Sequence, residues 1–130
     1  MSKIDSAESL RSCQPVEFFK FSEVICPCCG QCLLDYASFK LLYKARVLID
    51  IPFVLYSAYR CIKYNKEVGS TSRNHVLGRA FDIKCLNSVN RYSFIRTFLS
   101  LNFSGIGIYP NFIHVDTYHS DVTPMLWYGR

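Results

Sequence analysis

The chain has 130 residues, half of them hydrophobic and 19% charged, which excludes a disordered tail and predicts a single domain over residues 1–130. The formal charge of +5, with a pI near 8.9, favours an anionic partner. Lys and Arg are scattered singly rather than gathered in a stripe, which disfavours nucleic acid. Asn and Gly interrupt the apolar stretch over residues 98–108, which disfavours a membrane span.

Taken in chain order, residues 1–18 read as a ragged N-terminal segment and residues 26–32 as a Cys-rich turn. Apolar residues recurring near i, i+3 and i+4 predict an amphipathic helix over 33–48. Pro52 breaks that run, and residues 53–57 then read as a buried strand that delivers Arg60 to its C-terminal end. Residues 65–74 are polar, a loop or short helix, and a buried strand starts near Ala80. Asn87-Ser88 is a candidate cap for a helix over 89–101. Residues 105–109 and 112–118 predict closing antiparallel strands about a Pro110-Asn111 turn. The expected fold class is α+β, with helices packed on a small antiparallel sheet.

Seven cysteines call for an explanation. Cys26-Pro27-Cys28-Cys29 holds one Cys-x-x-Cys pair, whereas a structural zinc knuckle needs four ligands and normally a second pair sharing no cysteine with the first, which is absent. Solitary Cys13, Cys61 or Cys85 is the alternative source of a closing ligand. The odd count argues against an oxidised scaffold, and the polar stretch over residues 1–14 lacks the apolar core of a signal peptide, so synthesis in a reducing cytoplasm is expected.

The strongest chemical signal is the stretch from Ser72 to Ile83, which sets His75 and Asp82 seven residues apart, with His114 supplied later. Two imidazoles and a carboxylate form a zinc-ligand set that leaves a fourth position for water, as hydrolytic zinc sites do. A lone imidazole is more often surface or satisfied core than ligand. Here, however, Asp82 lies between Phe81 and Ile83 on a predicted strand, and a buried carboxylate is costly unless it is paired or bound to metal. His114 and Asp116 share one side of the last strand by alternation. Arg60 suits a substrate carboxylate or a developing oxyanion, and Ser57 stands close enough in sequence to position it or the substrate.

These residues resemble the zinc D-alanyl-D-alanine carboxypeptidases and dipeptidases and the L-alanyl-D-glutamate endopeptidases of phage lysins, whose fold is shared by the signalling domain of Hedgehog. The resemblance is carried by His75, Gly78, Ala80 and Asp82, by His114-Val115-Asp116, by Tyr56 to Cys61, by Asn65 with Val68-Gly69, and by Gly105 to Pro110. It implies that His75, Asp82 and His114 bind zinc and that Arg60 contacts substrate. Arg73 stands where the family has a serine, with Ser72 one position further away as the expected substrate contact. Asn111 stands where several branches carry an acid, so Asp116 is the expected base, with a role in orienting His114 as its alternative. His119 is a spare imidazole, expected to be exposed.

The implied function is a zinc metallopeptidase cleaving peptidoglycan stem peptides or cross-links. A monomeric phage-type endolysin, made in the cytoplasm and acting on the wall after release, fits the short chain. A non-catalytic interaction domain is the alternative, and a basic nucleic-acid-binding protein the weaker one.

Overall fold

In a computed structural model describing residues 3–117 and 124–130, the N-terminal third is more ordered than its composition announces. Strand β1 (Lys3–Ile4) leads into helix α1 (Ala7–Ser12), which opens on a capping box in which Ser6 and Ser9 serve each other's backbone N–H. A further turn of helix, α2 (Phe21–Val24), precedes the Cys-rich turn. The segment read as ragged is thus structured, because Ile4 and Leu10 are buried in the core and fix it tertiarily.

Strand β2 (Leu34–Asp35) pairs antiparallel with β1, and helix α3 (Tyr36–Ile49) follows directly. The helix begins later than its apolar pattern suggests, because Asp35 is its N-cap and accepts from the Ser38 N–H at 3.0 Å. It stops at Asp50, which takes the left-handed conformation with φ 56°.

The second half forms the main sheet. Its elements are β3 (Leu55–Ser57), α4 (Ile62–Glu67), β4 (Ala80–Lys84), α5 (Ser88–Ser100), β5 (Gly105–Ile108), β6 (Phe112–Asp116) and β7 (Met125–Tyr128). Asn87 caps α5 by accepting from the Asn90 N–H at 2.8 Å. The β5–β6 hairpin turns at Pro110-Asn111, closed by the Tyr109 N–H donating to the Phe112 carbonyl.

The strand order is β3-β4-β6-β5-β7. The fold is α+β, as the patterning predicts, with two departures in this sheet: β7 was not anticipated and joins β5 in parallel, and the strand expected to be buried over 53–57 is only β3, a partly exposed strand at the sheet edge. Phe81, Ile83, Ile106, Ile113 and Val115 lie in one buried cluster with Phe39 and Leu42 of α3 and Phe94 and Phe98 of α5. Among the described residues no helix is long and apolar enough to cross a membrane.

Candidate metal centre

Strand alternation sends every second residue of β4 and β6 away from the helices. Asp82 sits opposite His114 in the antiparallel register, and Asp116 pairs opposite Ala80, so three polar heads gather on one side of two central strands. His75 arrives from outside the sheet. Its turn ends at Gly78, whose φ of 72° and close approach to the β2 backbone leave no room for a Cβ, and whose carbonyl accepts from the Asp35 N–H.

The two imidazoles are each held at one nitrogen. His75 Nδ1 lies 2.7 Å from the Ala58 carbonyl and donates to it, so Nε2 carries the lone pair and faces Asp82 Oδ2 at 3.4 Å. His114 Nε2 lies 2.8 Å from Asp116 Oδ2, and its Nδ1 faces Asp82 Oδ1 at 3.0 Å. One donor atom from each of His75, Asp82 and His114 lies within 4.8 Å of the others. Ligands on a tetrahedral zinc with bonds of about 2.0 Å stand roughly 3.3 Å apart, so this spacing suits the ion. A ring nitrogen fixed by a carbonyl and another fixed by a carboxylate is also how metal-ligating imidazoles are oriented.

The charges in this cluster depend on one another. Burial disfavours the Asp82 carboxylate, yet the His114 hydrogen bond and the neighbouring His75 ring hold its carboxyl well below the usual range. Burial likewise disfavours an imidazolium at His114, but its bonds to Asp116 and Asp82 push it up to about 9. In the absence of a metal the protein thus keeps a proton where a cation fits.

Arg60 backs this cluster. Its Nη2 donates to Asp82 Oδ2 at 3.1 Å, its Nη1 to Asn65 Oδ1 at 3.3 Å, and its Nε to Ser57 Oγ at 2.9 Å. Asn65 is itself fixed, since its amide donates to the Ser72 carbonyl at 2.8 Å. Three of the five guanidinium N–H groups are thereby committed to the protein, which leaves two for a ligand.

A cleft of about 820 Å³ opens over the cluster, lined by His75, Asp82, His114, Asp116 and Arg60, with Arg73, Ser72 and Asn74 on the rim. Trp127, Tyr109, Phe112 and Met125 form its apolar side. Tyr109 stacks on Phe112 at 4.4 Å, and the Trp127 indole N–H donates to the Tyr109 hydroxyl at 3.1 Å. Gly107 is small for a reason: a Cβ there would meet the Trp127 ring at 2.7 Å.

The predicted site residues therefore meet, though with different tasks. Ser57 does not line the cleft and instead holds the Arg60 Nε. Ser72 lines it, while its hydroxyl accepts from the Asn74 N–H at 3.2 Å. Asn111 is exposed at the hairpin tip, away from the cleft. His119 lies outside the described residues. The Ala58 carbonyl and the Trp127 wall escape sequence reading, the first because a backbone oxygen carries no residue signature. Asn65 was visible only as a motif match, without its bracing task.

A search among curated proteins finds no match. The family model described as Peptidase M15 matches residues 18–116, a span that takes in Arg60, all three metal-site residues and Asp116. The chain belongs to the peptidase M15 family.

Proposed function

We propose that this protein is a zinc peptidase cutting the peptides of peptidoglycan, with His75, Asp82 and His114 holding the metal. The observation that carries this reading is the convergence of those three donors in one cleft, with both imidazoles oriented from behind by the Ala58 carbonyl and the Asp116 carboxylate. Zinc, when bound, supplies the Lewis acidity for attack of water on a peptide carbonyl. The remaining tasks fall to the chain. Arg60, fixed on Asp82 and Asn65, directs its two remaining N–H groups at a substrate carboxylate or at the oxygen that gains negative charge. Arg73 on the rim adds a second cation for acidic stem peptides, and the Trp127, Tyr109 and Phe112 side packs against the peptide's apolar parts.

Asp116 was the residue expected to take a proton from water. Its Oδ2 is engaged by His114 Nε2 and its carboxylate is tucked under Gly105, where a Cβ would meet it at 2.3 Å. We assign it the task of presenting His114 Nδ1. Among the described residues, Asp82 and Asp116 are the only carboxylates lining the cleft, and each faces an imidazole. That observation favours a second reading, a non-catalytic interaction domain that keeps the fold.

Within the first reading, a broad cleft suits an endopeptidase of the phage-lysin kind acting on polymeric wall after release from the cytoplasm. The test is zinc content of wild type, His75→Ala and His114→Ala, beside mass spectrometry of peptides released from purified peptidoglycan. About one zinc per chain lost with either substitution, together with defined fragments, is expected. The same loss of zinc with no fragments released by wild type selects the interaction domain, and a zinc content unchanged in both variants removes the assignment.

A further inference from the structure

The seven cysteines divide into two kinds by what their sulfur atoms do. Cys13, Cys32 and Cys85 each donate to a backbone carbonyl, those of Ser9, Ile4 and Asn87. They are buried neutral thiols packed as small apolar residues. The sulfur atoms of Cys26 and Cys61 instead accept backbone N–H groups, from Cys61 and Tyr64 respectively, each at 3.4 Å. Backbone N–H groups thus point at both sulfur atoms, Cys61 being the N-cap of α4, and thiolate sulfur is the form that binds metal.

The clustering is tight. Sulfur atoms of Cys26, Cys29 and Cys61 all lie within 4.8 Å of one another, against roughly 3.8 Å expected for thiolates around one zinc with bonds of about 2.3 Å. The turn that presents Cys26 and Cys29 is closed at both ends: the Cys26 N–H donates to the Gln31 carbonyl, and the Gly30 N–H to the Cys26 carbonyl, each at 2.8 Å. Gly30 supplies the left-handed residue, φ 72°, that lets the chain fold back after Cys29. Cys28, exposed on the same turn beside Cys29, lies outside this group of three. Cys61 comes from a segment distant in sequence, held alongside by the Tyr59 N–H donating to the Val24 carbonyl.

We propose that Cys26, Cys29 and Cys61, with Cys28 as the fourth donor, form a structural thiolate zinc site that fastens the 26–31 turn to the segment carrying Arg60. A second Cys-x-x-Cys pair is unnecessary, because Cys61 replaces it from across the fold. Its effect on the cleft is indirect but short in range: Ala58, which holds His75, and Arg60 are the residues just before Cys61. The site is independent of the peptidase reading.

Cobalt(II), titrated into the reduced, tag-free full chain, is the probe. We expect about two equivalents to bind, one of them bringing thiolate-to-cobalt charge-transfer bands in the near ultraviolet. Cys29→Ser and Cys61→Ser should abolish those bands, and His75→Ala should keep them. Cys29 is exposed, so its serine variant retains the fold by circular dichroism even if the Cys61 variant does not. Bands that persist in Cys29→Ser, or uptake of cobalt without them, overturn the site. So does a count below seven titratable thiols in anaerobically purified protein denatured without reductant, since that marks a disulfide.

Discussion

The two sides of strands β4 and β6 share one backbone and do opposite things. Toward the helices they present Phe81, Ile83, Ile113 and Val115, all fully buried. Toward the cleft they present Asp82, His114 and Asp116, ionisable groups whose burial is offset by their pairing with one another. The core side holds the strands at a fixed spacing and register, and the cleft side uses that register to set donor atoms 3.0 Å apart. Stability and chemistry are thus separated by a single residue step.

The sharpest way to break this division is on the core side. Phe81→Ala should cost about 3–5 kcal/mol of stability, read by urea unfolding, while the fraction that stays folded keeps its metal. Loss of metal from fully folded Phe81→Ala protein would mean that the two sides are not separable. Next in size is Asp116. Asp116→Ala should weaken zinc binding by roughly ten- to a hundredfold, whereas Asp116→Asn, whose amide oxygen still accepts from His114 Nε2, should keep most of the affinity and turnover. If Asp116→Asn instead binds zinc normally and loses turnover by about a hundredfold or more, Asp116 is a proton acceptor after all.

pH acts on the same cluster without any substitution. In the metal-free protein the His114 imidazolium, raised to about 9, adds stability that is fully present below its ordinary value of 6.5 and is lost as pH rises through about 9. Asp82 runs the other way, its contribution present above its ordinary 3.8 and lost only as pH falls far below it. Metal must displace the proton of His114, so affinity should rise roughly tenfold per pH unit up to about 9 and flatten beyond, with proton release on binding. Calorimetry in buffers of different ionisation enthalpy measures that release. An affinity that does not change with pH would show that His114 binds without giving up a proton.

Much of the centre is local in sequence. His75 and Asp82 belong to one motif, and the alternation around Asp82 and His114 places both toward the same side before any coordinates exist. Capping by Asn87 and the Pro110-Asn111 turn are equally short-range signals, and both elements form as expected. The ragged reading of the N-terminal segment failed for the converse reason. Its short elements gain their stability from burial of Ile4 and Leu10, which no local pattern of helix or strand announces.

The sequence by itself determined which residue types stand ready for metal, which strands bury one side, and that the fold is α+β, because alternation, capping and turn chemistry act over a few residues. Tertiary structure alone decided that Ser57 braces Arg60 rather than lining the cleft, that Asp116 faces an imidazole, that Trp127 closes the wall from a parallel strand, and that Cys61 meets the 26–31 turn. Each of these depends on strand register or on packing between distant segments, where a displacement of one residue would turn the side chain to the opposite face.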